Sequence, residues 1–152
     1  MSNLIITVIA IAFFAAIMFA GSGYINYSSV TTVKDKTELS AALVQLSTGV
    51  GTYKIMHDLN PTSWTDFIPD VIGEPILPDH MDWTDFSLNR TTGFNEACIE
   101  ASLEVKEDLR AILNVQKDMS DGTFYISDTC GHKADLLPET YPSIKTITYI
   151  IR

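Results

Sequence analysis

The first charged side chain in this sequence is Lys34. A run of 33 residues without Asp, Glu, Lys or Arg is poorly suited to a water-facing surface, where those residues concentrate. Within it, Leu4 to Ala20 (LIITVIAIAFFAAIMFA) holds one polar side chain, Thr7. As a helix at about 1.5 Å per residue, that stretch spans roughly 25 Å, near the lower limit for a bilayer. The uncharged flanks Ser2–Asn3 and Gly21–Tyr27 extend it, and Tyr24 and Tyr27 stand where interfacial aromatics collect. Residues 1–30 therefore read as a membrane-spanning or otherwise apolar-solvated helix. A cleaved secretory signal is the alternative, with Phe19-Ala20-Gly21-Ser22-Gly23 as a poor cleavage site. Against it, no Lys or Arg precedes Leu4.

The apolar run continues without proline into a second helical pattern. Leu39, Leu43, Leu46, Val50 and Tyr53 recur at alternating spacings of four and three, the period of an amphipathic helix. Ser40, Gln45, Ser47 and Lys54 fill positions between them. Asp35 and Glu38 would suit a helix N-terminus if the helix were re-entered there. Gly21, Gly23 and Gly49 lower helix propensity locally. The expected element is one helix of about fifty residues, softened at Gly21–Gly23, with an amphipathic half over 33–57.

Residues 58–82 carry Pro61, Pro69, Pro75 and Pro78, a density that denies regular helix and predicts an ordered loop. Trp64, Phe67, Ile68, Val71, Ile72, Ile76 and Leu77 give that loop apolar anchors. A short strand is expected from Trp83 and a turn over Asn89–Gly93. A second helix is expected from Asn95 or Glu96 to about Val115, with Ile99, Leu103, Leu109, Ile112 and Leu113 as its apolar side. Ser120-Asp121-Gly122 predicts a turn and Thr123–Ser127 a strand. Ile144–Arg152 alternates β-branched residues: Ile147, Tyr149 and Ile151 share one face, Thr146 and Thr148 the other. The predicted class is α+β, a long N-terminal helix laid on a small antiparallel sheet formed within 83–152.

The chemistry on offer is sparse. A formal charge of −9 argues against nucleic acid, whose binding needs Lys and Arg on phosphates. Cys98 and Cys130 are an even pair, and outside the cytoplasm a disulfide is the simplest reading. Closing such a loop stabilises by roughly 3–4 kcal/mol in the chain-entropy picture. Two separate buried thiols in a reducing compartment are the alternative. Asp79, His80, Asp82 and Asp85 form the densest set of metal-ligand types, but acids crowd the whole stretch from Asp58 to Asp108, and a solvated acidic face explains them. His57, His80 and His132 accompany no nucleophile or zinc motif. Asn89-Arg90-Thr91 fits a glycosylation sequon. No metal site, cofactor or enzymatic activity is expected.

The layout as a whole resembles the type IV pilins and their type II secretion relatives, the pseudopilins. The resemblance covers the chain from its opening apolar helix to its C-terminal cysteine pair. Leu46 to Pro78 (LSTGVGTYKIMHDLNPTSWTDFIPDVIGEPILP) looks like a pilin helix end running into the αβ loop. Cys98 to Arg152 looks most like the type IVb branch. Ile5 stands where most pilins carry a glutamate thought to pair with a neighbour's N-terminal amine, and an apolar residue there is more familiar at the tip of pseudopilus-like assemblies. The resemblance implies a subunit that waits in the bacterial inner membrane with its head in the periplasm, then polymerises with itself and other pilins through the pilus assembly machinery. Ile5, Ile9, Phe13, Phe14 and Phe19 would exchange lipid for neighbouring helices in the filament core, with Gly21 and Gly23 giving flexibility. Met1 would be the N-methylated residue. The alternative is a single-span periplasmic accessory protein of a type IVb pilus system that never polymerises.

Overall fold

A computed structural model describes residues 27–152. Helix α1 spans Tyr27–His57, so the amphipathic half is one uninterrupted helix. Leu39, Leu43, Leu46 and Val50 are its fully buried side chains, as their spacing predicts. Each such burial is worth about 1.5–3 kcal/mol before the entropy of ordering the chain is charged against it. The helix ends where Asp58 adopts a left-handed φ of 54° and its N–H bonds the Lys54 carbonyl. Asp35 does not mark a helix start. It lies inside α1, one turn before Leu39, and is itself buried.

The sheet is four-stranded and antiparallel in the order β1-β2-β4-β3. Its strands are β1 (Met81–Leu88), β2 (Asn95–Leu103), β3 (Phe124–Ser127) and β4 (Ser143–Ile151). The second helix, α2, is confined to Lys106–Asp118. The expected helix over 95–115 is therefore half wrong: its first nine residues form β2, a central strand paired with β1 and β4. The physical reason is visible in the burial. Asn95, Ala97, Ile99, Ala101 and Leu103 face the helices and are buried; of the alternate set Glu100 is exposed, while Glu96 and Cys98 are covered by the segment after β3. Period two and period 3.6 both place Ile99 and Leu103 inside, so those two residues could not separate the readings.

The β1–β2 hairpin closes at the predicted turn. The Asn89 side chain accepts the N–H groups of Thr91 and Thr92, and Gly93 takes a φ of 74° while its N–H reaches the Asn89 carbonyl. Asx geometry and a glycine free to adopt positive φ are what such a turn requires. At α2, the Asp108 carboxylate reaches back to the N–H groups of Glu104 and Val105, satisfying donors the helix leaves open.

α1 and α2 cover one face of the sheet. Leu39, Leu43, Ile99, Leu103, Ile112, Val115, Ile126 and Ile147 make one core cluster. The second joins Leu46 and Val50 to Phe67, Phe86, Ala97 and Ile151, under the proline-bearing loop. That loop packs as predicted except at Ile76, which is 81% exposed: Trp64 lies 4.9 Å from Phe86 and 5.1 Å from Trp83, ring to ring. The Trp83 indole donates to Pro75, buried Asn95 donates to Pro61, and Gln45 of α1 donates to Gly73. Among the described residues no helix is long and apolar enough to cross a membrane.

Candidate functional site

Met1, Ile5, Ile9, Phe13, Phe14, Phe19, Gly21 and Gly23, singled out for assembly, lie outside the described residues. What the structure describes is the helix face that follows them. An ordinary surface helix carries charge opposite its buried stripe. α1 has none on either face from Leu39 to Tyr53. Its solvent side instead presents Val33, Val44 and Ile55, which are 63%, 61% and 87% exposed. They recur every eleven residues, close to three helical turns, and so line up along one edge of the cylinder. Between them sit Thr37, Ala41 and Thr48, also exposed.

Threonine hydroxyls on this helix are satisfied by its own carbonyls. Thr37 donates to the Val33 carbonyl, Thr48 to Val44 and Thr52 to Thr48, each at 2.8–2.9 Å. Such back-bonding lets a threonine enter an apolar contact without leaving an unpaired donor. The charges of α1 flank this stretch: before it Lys34 beside Glu38, Asp35, and Lys36 bonded to Asp118 of α2 at 2.7 Å, and after it Lys54 in the last turn.

Under α1 lies a second feature. Asp35, His80 and Asp108 offer ligand atoms that all fall within 4.8 Å of one another. They come from α1, from the end of the proline-bearing loop and from the first turn of α2. Asp35 is 5% exposed and Asp108 6%. Asp35 Oδ2 and His80 Nε2 are buried without a hydrogen-bond partner. Desolvation by burial raises the Asp35 carboxyl above its ordinary value, His80 opposes that, and Asp108 adds to it. The sequence reading grouped His80 with Asp79, Asp82 and Asp85, all of which are exposed. A usable signal did exist: Asp35 falls one turn before Leu39, in line with the buried stripe. Asp108 likewise precedes Ala111, Ile112 and Val115.

The opposite face of the sheet is covered by the segment after β3. Cys98 of β2 is bonded to Cys130, with Cα atoms 5.9 Å apart. The Gly131 N–H donates to Thr148 Oγ1 at 2.9 Å, and His132 Nε2 meets Glu96 Oε1 at 2.6 Å. The His132 ring stacks on Tyr125, and buried Lys145 bonds Asp128 and the Leu136 carbonyl. These contacts fasten 128–136 to β2, β3 and β4.

No protein family, curated protein or solved structure matches this chain.

Proposed function

We propose that the protein is a non-enzymatic structural subunit of a type IV-like pilus or pseudopilus, assembling through its N-terminal helix. One observation supports this above the rest: α1 carries no charge on either face from Leu39 to Tyr53, about four turns, and only the cluster Lys34, Asp35, Lys36 and Glu38 separates that stretch from 33 residues that carry no charge at all. A helix that is neutral and partly apolar all round is suited to lateral packing on its own copies. A head-to-tail contact of this kind, repeated around an axis, generates a helical polymer. Before assembly the same apolar segment is satisfied by lipid, since both surroundings accept apolar side chains and a backbone bonded within the helix. The acidic head then faces the medium.

The test is a charge on the exposed edge of α1. Val44→Glu should leave the head folded and its disulfide formed, because Val44 is 61% exposed. It should abolish filaments in the sheared fraction of producing cells, while Val44→Ala retains them. Ile9→Lys or Phe13→Lys should block assembly or membrane retention in the same assay. Sheared filaments should yield Met1 as an N-methylated residue by mass spectrometry. Wild-type protein confined to membranes, with an unmethylated Met1 and no sheared filaments, would sink the polymer and favour the single-span accessory role.

A further inference from the structure

The geometry points to a site for one divalent transition-metal ion of the zinc class, held by Asp35, His80 and Asp108. The site belongs to the head and does not depend on the filament reading.

Three arguments converge. The first is the state of the donors. Asp35 Oδ2 and His80 Nε2 are both buried and both lack a partner in a protein whose other buried polar side chains mostly have one. Native folds seldom leave such groups unsatisfied, and two of them sharing one small space mark a missing ligand more readily than two independent defects. Asp108 fits the same picture: both of its capping bonds end on Oδ2, so Oδ1 takes no part in the cap.

The second is charge. Two carboxylates that are 5% and 6% exposed gather with one imidazole, their ligand atoms within 4.8 Å of one another. Lys34 and Glu38 are the other charged groups acting on Asp35, and they act in opposite directions. A dication would offset both carboxylates, where an imidazole brings at most one positive charge.

The third is ligand type. An imidazole with two carboxylate oxygens selects zinc-like ions over calcium or magnesium, which prefer all-oxygen shells. Three protein ligands leave a position for water, as in open zinc sites. Zinc–ligand bonds of about 2.1 Å place ligand atoms roughly 3.4 Å apart. Closing from separations of up to 4.8 Å takes small side-chain rotations rather than movement of an element. The bound ion would join α1, the proline-bearing loop and α2 at one point, clamping the long helix onto the head.

The experiment uses the full chain in detergent micelles, stripped with chelator and dialysed against micromolar zinc. Wild type should retain one equivalent by elemental analysis, and its thermal midpoint should rise with zinc and fall back on adding EDTA. Cobalt in place of zinc should give visible ligand-field bands. Asp35→Asn and His80→Gln should each lose the equivalent and the midpoint shift. His132→Gln, altering the imidazole–carboxylate pair with Glu96 on the other face of the sheet, should keep both. Should His80→Gln fail to fold, Asp35→Asn carries the test, since it preserves shape and removes a buried charge. A folded wild type that retains no zinc overturns the site. So does retention of calcium in preference to zinc, or zinc that persists in Asp35→Asn.

Discussion

Asp66 organises a stretch of loop that proline denies to regular helix. Its Oδ2 accepts the N–H groups of Thr62 and Ser63 at 2.6 and 3.0 Å and the Thr62 hydroxyl at 3.0 Å. Those N–H donors hold the carboxyl below its ordinary value of 3.8. The sign follows from proton binding: the unfolded chain takes up the proton at a higher pH than the folded one. The contribution is therefore full above 3.8 and is lost as pH falls through the depressed folded value. Asp66→Asn should cost about 0.5–1 kcal/mol at neutral pH, as loss of a capping carboxylate does. The difference from wild type should fade in acid, which urea midpoints at both pH values would show. A cost that does not change with pH would mean that shape, rather than charge, is what Asp66 supplies. Asp35 carries a related lesson. Its i, i+4 relation to Leu39 was plain in the sequence, yet an acid in a buried stripe is unexpected until the groups facing it are seen.

At the scale of elements, α1 and the terminal strand β4 were legible because each repeats its own period over many residues. The segment that became β2 was not. Asn95–Leu103 (NEACIEASL) holds residues that form helices readily, and its two large apolar residues fit either period. Pairing on both sides, with β1 and β4, decided the matter. The contact between α1 and the proline-bearing loop yields a prediction of its own. Gly49 is buried in α1, and a Cβ there would come within 2.9 Å of Ile72 Cγ1. Helix propensity alone makes Gly→Ala favourable by about 1 kcal/mol. Gly49→Ala should nevertheless lower the thermal midpoint, because the branched Ile72 side chain has to move and take the loop with it. In an Ile72→Ala background the same substitution should raise the midpoint. Equal effects in both backgrounds would show that the close approach carries no energetic weight.

For the molecule as a whole, the sheet separates two kinds of anchorage. One face holds α1 and α2 by apolar packing; the other holds the 128–136 segment by the Cys98–Cys130 bond and the His132–Glu96 pair, and Lys145 ties Asp128 and Leu136 to β4. The cysteines lie 32 residues apart. A Cys98→Ser, Cys130→Ser double variant should lose roughly 3–4 kcal/mol of unfolding free energy, chiefly through the freer unfolded chain. Urea denaturation measures it, and a loss below about 1 kcal/mol would indicate that the surrounding contacts hold the segment without the bond. From sequence alone came the division of the chain between 33 uncharged N-terminal residues and an acidic head, the α+β class, and the buried stripe of α1. All three rest on composition or on short-range period, which a linear sequence displays directly. Tertiary structure alone decided that β2 is a strand, and which segments the C-terminal loop joins. It alone decided that Asp35, His80 and Asp108 meet. Those outcomes depend on register and on packing between residues tens of positions apart, and no local pattern encodes a distance across a core.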